Sequence, residues 1–310
     1  MKPSRQLLQR AIPAAVSLGL LAWLLSTFDL RAILAAIDAR VAFVLVPSVL
    51  LWGGATLVLE ALSIIRVLPA PPASFTVFTA ARIKCASYLL GIIHLTLGGA
   101  GLAVLLRQRT GVTLGRSAGV VLLIMLTDLL ITLSAGVLGA SFSDAAASAL
   151  PVGLLALLAA GLVFGVAILR APGSLGPIER IRALPVFVAL RETPLERLLE
   201  LAVLRCVFVA CFIAVGGSAF VAFGIDAGVP RIVVGMAVLA VVGALPIAVS
   251  GLGTGQVAAV YLFRDLAPPE TILAMSLVLT FSLTSLRLLM GLTFAREFAR
   301  QALAGAREAA

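Results

Sequence analysis

Arg82, Lys84, His94, Asp128 and Arg287 each fall within or beside a long apolar stretch of this 310-residue sequence. On insertion scales a charge at the centre of a membrane helix costs about 2.5–3.5 kcal/mol, so ionisable groups in such places are functional candidates by default. Arg82 and Lys84 have the chemistry to hold a phosphodiester, arginine through a bidentate fork and lysine as a point charge. The other reading is that both snorkel to a membrane interface. Asp128 lies too deep in its stretch to snorkel, and suits a counter-charge for Arg82, Lys84 or Arg287, or a proton-carrying group. Arg287 stands about two helical turns from the end of its stretch, within reach of headgroups or of Asp128. His94, the only histidine, either donates to a phosphate or bonds a backbone carbonyl freed at a helix end.

Two glycine-rich runs accompany these residues. Gly98-Gly99-Ala100-Gly101 follows His94, and Gly251-Leu252-Gly253-Thr254-Gly255 precedes Gln256. Both runs read as chain breaks whose backbone lines a polar groove, and Gly98, Gly99, Gly101, Gly251 and Gly253 are its candidate residues. Thr254 and Gln256 open the half-helix after the second break, where a threonine cap and uncovered N–H groups make an anion site. Glu60, six residues before Arg66, reads as interfacial, while Tyr88 and Tyr261 supply either cavity hydroxyls or ordinary packing. Catalysis would need a nucleophile and a base in one cluster, and no such motif is legible, so the expectation is a non-enzyme. Cys85, Cys206 and Cys211 lie in apolar stretches as small hydrophobes. No disulfide framework, metal motif or cofactor motif is legible.

What must position these groups is a bundle of membrane helices. Apolar residues make up 62% of the chain and charged residues 12%, and the mean hydropathy is +1.18. That is more apolar surface than a soluble domain can bury. Segments of about 20 residues nearly fill the chain, at 11–28, 41–65, 119–139, 151–169, 201–223 and 271–294. A short interfacial helix is expected over 30–40 and another over 194–201, next to a solvated cytoplasmic loop at 170–200. The net charge of +9 on so apolar a chain reports topology and anionic headgroups, not nucleic acid. Basic residues crowd the N-terminus, the stretch from Arg170 to Arg205 and the tail, whereas 141–150 has none. The positive-inside rule then gives six spans with both termini cytoplasmic.

Segments 75–108 and 232–263 do not fit that count. Each must begin and end on one side of the membrane, and each is too short for two spans and a turn. They read as two opposed, glycine-broken re-entrant hairpins inside a single transmembrane domain over 1–310, in an order compatible with an inverted repeat. Opposed broken helices aimed at the midplane characterise transporters, while the bland reading gives the glycines to close helix packing. Gly161-x-x-x-Gly165 offers either a homodimer contact or internal packing.

At the breaks a family pattern enters. Leu95-Thr96-Leu97-Gly98-Gly99-Ala100-Gly101, then Leu105-Leu106-Arg107-Gln108-Arg109-Thr110-Gly111-Val112 and the span holding Asp128, resembles the flippase-like membrane domain of lysylphosphatidylglycerol synthases. Ala244-Leu245-Pro246-Ile247-Ala248-Val249-Ser250-Gly251-Leu252-Gly253 and the later Ser285-Leu286-Arg287-Leu288-Leu289-Met290-Gly291 are similar to that family's second signature. The resemblance covers roughly residues 5–300. It implies a multi-pass protein of the bacterial inner membrane that binds or translocates an anionic phospholipid or glycolipid. It also implies a form without the soluble aminoacyl-transferase domain, since the sequence runs only about a dozen residues past its last span. Where the family carries charges after each break, this chain has Leu102 and Val104, and Gly255 and Gln256. The rival readings are therefore a lipid transporter and a non-transporting lipid-binding or accessory protein for a membrane enzyme partner. Neither lysine fits a phosphate-loop motif, so transport is expected to be passive or ion-coupled.

Overall fold

The computed structural model describes residues 30–69, 71–93, 95–142, 149–171, 176, 179–244 and 253–308. The first expected span at 11–28, His94 and Gly251 lie outside the described residues. The secondary structure of the described residues is all helical, with no strand. Five of their helices are long and apolar enough to cross a membrane: α2 (Ala39–Val67), α5 (Leu114–Ser141), α6 (Ala149–Arg170), α9 (Leu195–Ala222) and α12 (Pro269–Glu308). The other helices are α1 (Leu30–Ala35), α3 (Val77–Ile93), α4 (Leu95–Thr110), α7 (Glu179–Arg182), α8 (Val188–Glu192), α10 (Val229–Ala244) and α11 (Thr254–Phe263). At 1.5 Å per residue, α3, α4, α10 and α11 are each shorter than the roughly 30 Å hydrocarbon layer. The exposed side chains of α6 include Leu154, Leu157, Val163 and Phe164. Such a face suits lipid, not water. The chain is an all-helical, polytopic membrane protein.

The chain forms two compact units. One holds residues 1–52, 132–159 and 209–284, and the other holds 53–131, 160–208 and 285–310. Each long helix contributes one stretch to each unit.

In the first unit α10 and α11 form a hairpin. Gly235 of α10 has no room for a Cβ, because the Phe263 ring of α11 lies over it, and Phe220 of α9 meets that ring edge-on at 4.9 Å. Arg231 bonds Asp265 and the Leu262 carbonyl at the hairpin's open end. Gly253 caps α11 at φ +87°, a conformation that costs L side chains energy and leaves glycine as the suitable residue.

In the second unit α3 and α4 form the other hairpin. The core around it joins Ala61 and Ile64 of α2, and Leu68 just past its end, to Ile83, Leu106 and Ile124. The glycine run expected to break the chain lies inside α4, which runs without interruption from Leu95. Its glycines serve packing: a Cβ on Gly98 would stand 2.7 Å from the Gly91 Cα, and one on Gly101 would strike Leu90. Small residues let helix backbones approach in this way.

Two further expectations change. The interfacial helix at 194–201 and the following span are one 28-residue helix, α9, since no glycine or proline interrupts the sequence at their junction. The segment after α6 is not solvated throughout: Arg180, Arg191, Glu192 and Arg197 are exposed, but Arg182, Leu190 and Thr193 are buried. Arg170 donates to the carbonyls of Leu190 and Thr193 at 3.0 and 3.1 Å, and Arg182 donates to the Ala171 carbonyl and to Glu179. Gly119 receives the segment closely, so a Cβ there would lie 2.6 Å from the Val186 carbonyl oxygen. Charged residues made this segment look solvated, but the guanidinium groups of Arg170, Arg182 and Arg191 each donate to a backbone carbonyl. Gly161 and Gly165 of α6 have nothing within 4 Å of a Cβ, so they serve no close packing among the described residues.

Candidate functional site

Five helices of the second unit each bring ionisable side chains to one region: Glu60 on α2, Lys84 with Tyr88 on α3, Asp128 on α5, Arg205 on α9 and Arg287 on α12. The local patterns are helical. Leu59 and Ser63 lie one turn apart on α2, as do Lys84 and Tyr88 on α3, so each pair faces the same neighbours. Gly291 lies one turn beyond Arg287, and a Cβ there would stand 2.8 Å from Leu89 and 3.1 Å from the Cys85 carbonyl oxygen. This close crossing of α12 over α3 brings Arg287 to Tyr88, with its guanidinium 5.6 Å from the ring centroid. Arg82 lies along the same two helices, 5.6 and 5.7 Å from the rings of Phe78 and Phe294.

The charges form two pairs of different character. In the first, the Lys84 Nζ stands 2.9 Å from Glu60 Oε1, and the Tyr88 hydroxyl donates to Oε2 at 2.6 Å. Glu60 is 8% exposed, whereas 20% of the Lys84 side chain is accessible. In the second, Arg205 is fully buried. Its Nη1 donates to Asp128 Oδ1 and Oδ2 at 3.3 and 3.2 Å. Its Nη2 donates to Ser63 Oγ at 2.7 Å and to the Leu59 carbonyl at 3.1 Å, and its guanidinium lies 4.5 Å from the Phe208 ring centroid. Arg205 thereby ties α9 to α5 and α2 through both of its terminal nitrogens, as burial of a charge demands, while its Nε, also buried, has no hydrogen-bond partner.

Asp128 is thus a counter-charge, but to Arg205 and not to Arg82, Lys84 or Arg287. Sequence reasoning counted Arg205 among the loop arginines that set topology and so missed it. Its signal was its position four residues into the apolar stretch that begins at Leu201. Glu60 was read as interfacial and is instead the buried partner of Lys84, and Tyr88 resolves to a donor on that carboxylate.

The second glycine run contributes to the first unit alone. Gln256 is buried, with its Oε1 accepting from the Gly253 N–H at 2.7 Å and its Nε2 donating to Thr280 Oγ1 at 3.3 Å. Its side chain is therefore engaged in capping α11, where Thr254 is the first residue. Among the described residues no group of three or more His, Cys, Asp or Glu is arranged to hold a metal ion.

Chemically, the α2–α3–α12 region offers a partly accessible lysine in a contact that a competing anion could exchange, with the Arg287 guanidinium over the same Tyr88 ring. The Arg205–Asp128 pair offers a locked strut. No curated protein and no solved structure matches the chain. Residues 10–291 match the family described as the lysylphosphatidylglycerol synthase TM region. With that match spanning nearly the whole sequence, the chain is a multi-pass membrane protein tied to lipid biology and belongs to the lysylphosphatidylglycerol synthase transmembrane family.

Proposed function

We propose that this protein is a lipid transporter of the bacterial cytoplasmic membrane, flippase- or scramblase-like, that takes the anionic headgroup of a phospholipid or glycolipid. The observation that carries the reading is Lys84: a side chain with accessible surface, in a single ion pair, on a helix that also carries Arg82 and crosses α12 at Arg287. Lysine presents a point charge on a flexible stem, which can leave one anion for another, and the neighbouring guanidinium groups are suited to bidentate phosphate recognition. Acyl chains remain in the bilayer beside the exposed apolar faces. In this reading the lipid is moved without a change in its covalent bonds, and both termini are cytoplasmic, in keeping with the distribution of arginine.

The test is reconstitution into liposomes carrying a fluorescent anionic lipid, followed by an impermeant quencher. The expected result is quenching beyond the outer-leaflet fraction in the wild type, and slower quenching in Lys84→Gln and Arg287→Ala at unchanged protein incorporation. Wild-type rates in both variants would remove the assigned site. A second reading, a lipid-binding accessory protein for a membrane enzyme, is favoured by Leu102 and Gln256. These positions follow the two glycine runs and are occupied by a core residue and by a helix cap. Wild-type quenching confined to the outer leaflet, with lipid still bound, would select that reading.

A further inference from the structure

We infer that Glu60 is the proton-carrying group of this site, so that an anionic headgroup and one proton enter it together. The inference rests on the proposed anion site and concerns what binding there must do to the groups already present.

Lys84 Nζ is held by Glu60 Oε1 at 2.9 Å. A phosphodiester that takes the ammonium displaces that oxygen, and a carboxylate 8% exposed inside an apolar bundle is left without its cation. An uncompensated charge in such a place is the costly outcome, and neutralisation is the alternative. Every charged or titratable group placed around Glu60 bears on this exchange. On α3 these are Lys84, Tyr88 and Cys85; on α5, Asp128; on α9, Arg205; on α12, Arg287. Arg205 is fully buried and bonded to Asp128, Ser63 and Leu59, so it cannot follow Glu60 as a new partner without breaking the second pair. Arg287 lies over the Tyr88 ring. The compensation available is a proton from the aqueous phase.

The geometry accommodates it. Glu60 Oε1, vacated by Lys84, takes the proton, while Oε2 continues to accept the Tyr88 hydroxyl at 2.6 Å. Tyr88 thus holds the side chain in place in both protonation states. The incoming anion and the incoming proton cancel, so the net charge of the site is unchanged. Release of the lipid returns Lys84 to Glu60 and expels the proton. Asp128 is unsuited to the same role, because its cation is locked by neutral acceptors and inaccessible to a ligand.

The test is calorimetric titration of the detergent-solubilised protein with dihexanoylphosphatidylglycerol, in buffers of differing ionisation enthalpy, from about pH 5 to about pH 9. The heat difference between buffers counts protons taken up on binding. The wild type should take up close to one proton per lipid within this range, where its affinity should rise up to about tenfold for each unit of falling pH. Glu60→Gln should bind more tightly, since the competing charge is gone, and should lose both the proton uptake and the pH dependence. Binding by the wild type with no proton uptake at any pH would overturn the coupling and leave the anion site standing. Undiminished uptake in folded Glu60→Gln would overturn the assignment to Glu60. Absence of binding by the wild type would overturn the anion site itself, and the coupling with it. If Glu60→Gln fails to fold, Glu60→Asp takes its place, and uptake over the same pH range as in the wild type would overturn the assignment to Glu60.

Discussion

The Arg205–Asp128 pair makes an asymmetric prediction that can be worked from its surroundings. Arg205→Met removes four donor contacts, to Asp128 Oδ1 and Oδ2, Ser63 Oγ and the Leu59 carbonyl, at 2.7–3.3 Å. At the membrane average of about 0.6 kcal/mol for an interhelical hydrogen bond, their loss amounts to roughly 2 kcal/mol. The aspartate left behind is 29% accessible and can recruit water, and the Ser63 hydroxyl still donates to the Leu59 carbonyl, so the penalty does not grow much further. Asp128→Leu is different. It leaves a guanidinium with no accessible surface facing only neutral acceptors, and stranding one member of a buried pair costs about 3–5 kcal/mol. The shorter side chain therefore matters more than the one making more contacts. The double variant Arg205→Met/Asp128→Leu exchanges both charges for apolar groups of similar size, a replacement that is often neutral or stabilising. It should be more stable than Asp128→Leu alone. The assay is reversible denaturation in mixed micelles, with all four proteins compared as a double-mutant cycle. Additive losses in the double variant, or a greater loss from Arg205→Met than from Asp128→Leu, would refute the account of Arg205 as a charge locked in place and balanced by Asp128.

Two contrasts within the glycine runs check the packing. Gly98→Ala sets a methyl 2.7 Å from a backbone atom of the facing helix and should cost about 1–3 kcal/mol. Gly99→Ala meets its nearest atom at 3.5 Å and should be neutral or stabilising, since alanine outranks glycine in helices by about 1 kcal/mol. Thermal unfolding in detergent distinguishes these outcomes, and equal effects would mean the α3–α4 contact is wrongly described. Similarly, Gly253→Ala, at φ +87°, should lower the unfolding midpoint by the equivalent of about 1–2 kcal/mol. Gly255→Ala, inside α11 with open space around it, should leave that midpoint unchanged or raise it.

The elements were largely legible in the sequence, because apolar length is a strong signal in a membrane chain. The expected spans 41–65, 119–139, 151–169, 201–223 and 271–294 fall within α2, α5, α6, α9 and α12, except that 201–223 runs one residue past Ala222. What was not legible is which charge meets which. Asp128 shows in sequence as a buried acid, but its partner lies 77 residues away, and Arg205 stands so near the start of its apolar stretch that it blends with the arginines that mark the cytoplasmic side. The same ambiguity hid Glu60, whose distance from Arg66 suggested an interface while its side chain turns inward to Lys84. The glycines misled in another way. Glycine signals either a break or a close approach, and Gly98 and Gly101 proved to serve the second, which only the facing Gly91 and Leu90 reveal. Around Leu190, arginines paired with carbonyls mimic a solvated sequence.

The order of the two ion pairs along the chain bears on how the protein is made. A membrane protein is threaded into the bilayer from its N-terminus as synthesis proceeds, and an arginine in mid-helix is hard to leave there alone. In both pairs the acid precedes the base: Glu60 before Lys84, and Asp128 before Arg205. Each cation thus emerges from the ribosome after its anion has been delivered. Arg205 arrives, moreover, on the most apolar of the five long helices. The helix least in need of help to insert carries the residue most in need of it, with the carboxylate of α5 already waiting. Reversing the two residues, with arginine at 128 and aspartate at 205, would preserve the pair on paper while asking α5 to enter the membrane with an arginine and nothing to meet it.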